Sequence, residues 1–145
     1  MVVEDLLPAL PGSVPLDLDR LALLGWSMGG YGALRLAPLF GSDRVRAVAA
    51  ASPAIWSDAD EASPEGFDDA AEYEEFSVSG HQDDLDGIDV RIECGEGDPF
   101  RYDVEDYADG FEVPVTVVFE AGGHDRGYWR RVLPDQLGFL GDAFG

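Results

Sequence analysis

Apolar positions along the chain fall into short continuous runs separated by stretches with helical spacing. Arg20-Leu21-Ala22-Leu23-Leu24 is too short for a helix and is bounded by turn residues, the pattern of a strand buried on both faces. From Met28 to about Phe40, apolar Tyr31, Leu34, Leu36 and Leu39 with small Ala33 and Ala37 suit a helix, which Pro38 and Gly41 bring to an end. Residues 45–51 (VRAVAAA) read as a second buried strand, 90–94 as a third and 113–119 as a fourth. Helices are expected over 102–109, between the last two strands, and over 128–139, after the fourth. Ahead of all these, residues 4–10 read as a short helix end cut by Pro8 and Pro11, with a loop at Pro11-Gly12-Ser13. Strands that alternate with helices imply an α/β fold, a parallel sheet flanked by helices with right-handed crossovers. Residues 57–87 break the rhythm. They are acidic, poor in regular pattern and too long for an ordinary connection, so an insertion over the sheet's carboxyl edge is expected there.

Composition narrows the classes of function. With 46% hydrophobic and 27% charged residues in 145, the chain has the make-up of a globular protein, one small domain or part of a larger one. No apolar run approaches the ~18 residues of a membrane span. Met1-Val2-Val3-Glu4-Asp5 has no basic start before an apolar stretch, so no signal peptide is read there. The cytoplasm is then the default compartment, and secretion stays open for a chain whose true start lies upstream. Thirty acidic residues against nine basic ones, all of them Arg, give a net charge of −21. A field of that sign repels nucleic acid and anionic membranes, disfavours anionic substrates and leaves neutral esters open.

Chemistry enters with Gly25-Trp26-Ser27-Met28-Gly29, a G-x-S-x-G sequence extended by Gly30. Bare, the motif is weak; an apolar strand immediately before it and a helix immediately after strengthen it. Such a turn lifts a serine Oγ above the sheet and points the next backbone N–H, that of Met28, at a developing oxyanion. Glycines on either side are expected because a β-carbon there would collide with the neighbouring strand or helix. A base and an acid should follow in the order acid, then histidine. His124, in the Gly122-Gly123-His124-Asp125 turn after the fourth strand, is the candidate base, whereas His81 lies in the acidic segment as a surface residue. Asp98, just after the third strand, is the candidate acid, with Glu96 and Asp103 as rivals; Asp125 is poorly placed because side chains adjacent in sequence diverge. Trp56 is a candidate wall of an acyl pocket, and for it, Tyr128 and Trp129 ordinary core packing is an equal reading.

Residues 25–33 (GWSMGGYGA), 95–100 (GEGDPF) and 122–129 (GGHDRGYW) resemble the α/β-hydrolase superfamily. They are most similar to its esterase group, which includes esterase D and the secreted mycolyltransferases. The resemblance covers nearly the whole chain. It implies Ser27 as nucleophile, Asp98 as acid, His124 as general base, the Met28 N–H as oxyanion donor, and a small-molecule ester as substrate, with no cofactor and no metal. It also implies a departure. In that family well over a hundred residues precede the nucleophile's strand, so this chain corresponds to the carboxyl-terminal part of the fold. The loop that carries the second oxyanion N–H has no counterpart, and the first strand should lack a neighbour on one side. An amino-terminally truncated domain is therefore expected, with an open sheet edge that invites self-association or the missing half. An acyltransferase and a non-catalytic fragment are the alternative functions.

Three weaker signals are set aside. Residues 82–93 nearly spell a calcium loop but lack its first acid, and they run into a strand instead of a helix. Asp68-Asp69 and residues 72–75 read as a solvated acidic face. Cys94 has only Arg91 nearby to lower its pKa and reads as a small buried residue.

Overall fold

The computed structural model describes residues 5, 9, 17–62, 64 and 66–145. The helix end and loop expected over residues 4–13 lie outside the described residues, apart from Asp5 and Ala9. Four parallel strands, β1 (Leu21–Trp26), β2 (Val45–Ala51), β3 (Asp89–Gly95) and β4 (Thr116–Glu120), form one sheet in the order β1-β2-β3-β4. Helix α1 (Met28–Phe40) joins β1 to β2, α2 (Ala70–Phe76) lies between β2 and β3, α3 (Arg101–Asp109) joins β3 to β4, and α4 (Arg126–Asp142) follows β4.

The sheet is covered on both faces: β2 is apolar on both, whereas β3 is apolar on one and carries the Arg91–Glu93 pair on the other. On one face Val48, Ala50, Val90, Ile92 and Cys94 pack with Tyr31, Leu34 and Ala37 of α1 and with Val104 and Tyr107 of α3. On the other, Ala47 and Ala49 meet Phe139 and Leu140 of α4, and Ala51 meets Tyr128 and Val132. The small alanines of β2 let a helix approach closely from each side. A register shift between Leu21 and Ala22 lets Ala22 pair with Ala47 and skips Arg46, which keeps that charge out of the core.

Several expected boundaries move for physical reasons. Among the described residues β1 has one partner strand, so Leu21 to Leu24 are half-buried and not buried on both faces as read from the run. Strand β4 starts at Thr116, because Pro114 has no N–H to give the ladder and Val113 is exposed. Helix α1 keeps its expected limits: it runs through Pro38 and stops at Gly41, which has a φ of 78° and whose N–H donates to the carbonyls of Ala37 and Pro38. Helix α4 begins two residues earlier than expected, capped by Asp125, whose carboxylate accepts from the N–H groups of Gly127 and Tyr128 at 2.7 and 3.1 Å. The acidic segment also holds regular structure that its composition hides. Asp69 caps α2 through the Glu72 N–H at 2.9 Å, and a 3-10 turn spans Gln82–Leu85.

Candidate active site

Ser27 stands between the last residue of β1 and the first of α1. Its φ of 53° and ψ of −129° lie where a β-carbon is crowded, a strain of order 1–3 kcal/mol. Three backbone hydrogen bonds hold it there: Ser27 N–H donates to Ala51, and Ser27 C=O accepts from Tyr31 and Ala54. The turn is tight enough that a β-carbon on Gly25 would lie 2.2 Å from the Gly29 carbonyl oxygen. Gly29 itself has nothing within 4 Å of such an atom, so the expected collision on both sides is corrected to one. The second close position is Gly30, against Gly25 and Pro53.

Two loops at the same sheet edge are laced together by their backbones. Glu96 N–H donates to Glu120 C=O and Gly97 N–H to Gly122 C=O, each at 2.8 Å. Gly95 permits this approach, since a β-carbon there would sit 2.5 Å from the Gly122 carbonyl. The lacing brings Asp98 and His124 together. His124 Nδ1 lies 3.0 and 3.2 Å from the two carboxylate oxygens of Asp98, and its Nε2 lies 2.9 Å from Ser27 Oγ. The Asp98 side chain is fully buried, and its Oδ1 also accepts the Phe100 N–H at 2.9 Å. The rivals are occupied elsewhere or turned away: Asp103 accepts the Ser57 N–H, Glu96 is exposed, and Asp125 caps its helix. Met28 opens α1, where the first N–H groups of a helix have no carbonyl partner within it.

A cleft of about 390 Å³ opens over this serine, lined by Ser27, Met28, Ala54, Trp56, Phe100 and His124 among others. Trp56 is held edge-on to Phe100 with ring centroids 5.3 Å apart, and its carbonyl accepts the Tyr73 hydroxyl at 2.6 Å. Phe100 touches the imidazole at 5.2 Å and was not singled out from sequence; its place two residues after Asp98, at the carboxyl edge, was the available signal. Trp129 also stands against the imidazole, perpendicular to it at 5.2 Å. His81 is exposed and pairs with Asp84 at 3.6 Å, outside the cleft. Cys94 is buried, and burial together with the nearby Asp98 charge pushes its thiol up to about 12. Glu93, the last position of the calcium-like sequence, is buried in β3 and paired with Arg91. Among the described residues no helix is long and apolar enough to cross a membrane.

A serine, a neutral-capable imidazole and a buried carboxylate in hydrogen-bonded series can pass a proton from Oγ to Nε2 while the carboxylate fixes the ring's tautomer. Solved structures with the same fold carry hydrolase names. A ferulic acid esterase superposes with a TM-score of 0.78 at 24% identity, covering 99% of this chain and 60% of its own. An S-formylglutathione hydrolase from Staphylococcus aureus gives 0.68 at 21% identity over 93% and 60%, and the enterobactin esterase of Shigella flexneri 0.68 at 21% over 99% and 35%. This chain thus spans 60% or less of the length of these three structures. No curated protein matches it. A family model described as "Putative esterase" matches residues 1–140, and the chain belongs to that family of α/β-hydrolases.

Proposed function

We propose that the chain carries the catalytic centre of a serine esterase that works through an acyl-enzyme. The observation that supports it is the hydrogen-bonded series from Ser27 Oγ through His124 to buried Asp98, set on a strained turn. Ser27 Oγ attacks the ester carbonyl while Nε2 of His124 takes its proton, and Asp98 stabilises the imidazolium. The oxyanion faces the Met28 N–H. Collapse expels the alcohol, which leaves with the proton from Nε2; water, deprotonated by the same nitrogen, then releases the acid. Losing one oxyanion donor typically costs ~10²–10³ in turnover, which sets the weight carried by the Met28 N–H.

A fluorophosphonate tests the nucleophile without needing fast turnover, because Oγ displaces fluoride and stays bound to phosphorus. Intact mass should show one adduct per chain, absent in Ser27→Ala. Hydrolysis of p-nitrophenyl acetate above buffer should disappear in the same variant. No adduct and no hydrolysis would sink the esterase reading in favour of a non-catalytic fragment. A product ester formed on adding an alcohol would favour the transferase.

A further inference from the structure

The geometry points to a second cleft, next to His124 through Trp129, that binds an aromatic carboxylate; resting on the esterase reading, we assign it to the leaving-group arm of the substrate. The cleft has a volume of about 410 Å³ and is lined by Trp26, Arg126, Trp129, Arg130 and Leu133. Trp26, 42% exposed, lies parallel to Trp129 with ring centroids 6.0 Å apart and 8° between planes. The two indoles pack on each other and give the cleft an apolar, aromatic surface.

The charge in this cleft is the unusual part. Of nine arginines, seven have partners: Arg20, Arg44 and Arg46 donate to carbonyls, Arg91, Arg101 and Arg131 pair with glutamates, and Arg35 lies over Phe76. Arg126 and Arg130 have none among the described residues, although the chain offers thirty carboxylates. They stand four residues apart, on one face of α4. Arg126 sits in the first turn of that helix, where the dipole opposes a cation, so helix stability does not explain it. Asp125, the nearest acid in sequence, is turned onto the Gly127 and Tyr128 N–H groups as the cap. Two uncommitted guanidiniums beside stacked indoles fit a carboxylate carried on a ring.

Position selects the arm. The leaving oxygen must take its proton from His124 Nε2, and Trp129 stands against that imidazole. The acyl arm then lies in the cleft of Ala54, Trp56 and Phe100. The net charge of −21 does not forbid this, because at physiological salt a distant charge is screened beyond about 8 Å, whereas both guanidiniums line the cleft.

The test compares 4-acetoxybenzoate with its neutral counterpart 4-acetoxybenzamide, in the unmodified chain and in Arg126→Gln/Arg130→Gln. The ratio of kcat/KM, anionic over neutral, should be about tenfold above one at physiological salt, carried by KM, and should fall to about one in the double variant. Arg20→Gln/Arg46→Gln, the same loss of two charges near the amino-terminal ends of β1 and β2, should keep the ratio. In parallel, 4-hydroxybenzoate but not 4-hydroxybenzamide should quench tryptophan fluorescence of Ser27→Ala, and the double substitution should abolish the quenching. Hydrolysis with an unchanged ratio would overturn this inference and leave the esterase reading standing. Quenching without hydrolysis would keep the anion site and overturn the esterase reading. Neither signal would overturn both.

Discussion

Asp98 combines two tasks in one buried carboxylate: Oδ1 ties the acid loop through the Phe100 N–H, and both oxygens face His124 Nδ1. Asp98→Asn keeps the size and the first bond but turns an NH₂ toward Nδ1. The imidazole proton then moves to Nε2, which can no longer accept the proton of Oγ. Ester hydrolysis should fall by ~10³–10⁴ with far-ultraviolet circular dichroism unchanged, while Glu96→Gln should retain activity. Equal losses in the two variants would remove Asp98 from the triad. The glycines around Ser27 give a sharper residue-scale contrast. Gly25→Ala drives a methyl into backbone atoms that cannot swing away, so urea unfolding should show a loss of about 3 kcal/mol or more. Gly29→Ala meets open space early in a helix and should be neutral or stabilising by up to ~1 kcal/mol. The G-x-S-x-G spacing named both glycines alike; only the three-dimensional turn tells them apart.

At the scale of elements, what could be read in advance was what a buried face imposes on composition. Residues 45–51 stand in the centre of the sheet, and their all-apolar pattern, broken only by Arg46, marked β2 from end to end. Strands β1 and β4 lie at the edges among the described residues, so their patterns carry less information and their limits moved. Helix α2 was illegible because seven residues with Tyr73 as the one buried side chain make no periodicity. The interface of β3 with α4 yields a pH effect. Burial raises the Glu93 carboxyl above its ordinary 4.5, Arg91 opposes this, and Asp135 and Glu120 add to the rise. A raised acid holds its proton better folded than unfolded, so this contribution favours the fold below about pH 4.5 and is lost as pH climbs from there through the folded value. Glu93→Gln cannot ionise, and its Oε1 still accepts from Arg91. The variant should melt higher near neutrality and show a flatter decline in Tm above pH 4.5. A decline as steep as in the unmodified chain would mean that Glu93 is not its source.

For the whole molecule, net charge and sheet edge pull against each other. Among the described residues β1 offers one hydrogen-bonding edge to no partner, with Leu21 to Leu24 half-buried beside it, a surface that pairs readily with another strand. Two copies that approach edge to edge each bring a charge of −21. The repulsion acts over about 20 Å at ~0.02 M salt and over only ~3 Å at 1 M, so salt selectively removes what keeps copies apart. Lower pH does the same, since the charge vanishes near the isoelectric point of about 4.1. Sedimentation velocity at about pH 8 should therefore show a monomer at the low salt concentration and dimers or larger species at the high one. Thermal melting in the same buffers should rise with salt, because screening also relieves repulsion within each copy. The two readouts separate the causes: a Tm that rises while the chain stays monomeric places the strain of the charge inside the molecule. It would also mean that something other than repulsion shields the edge of β1.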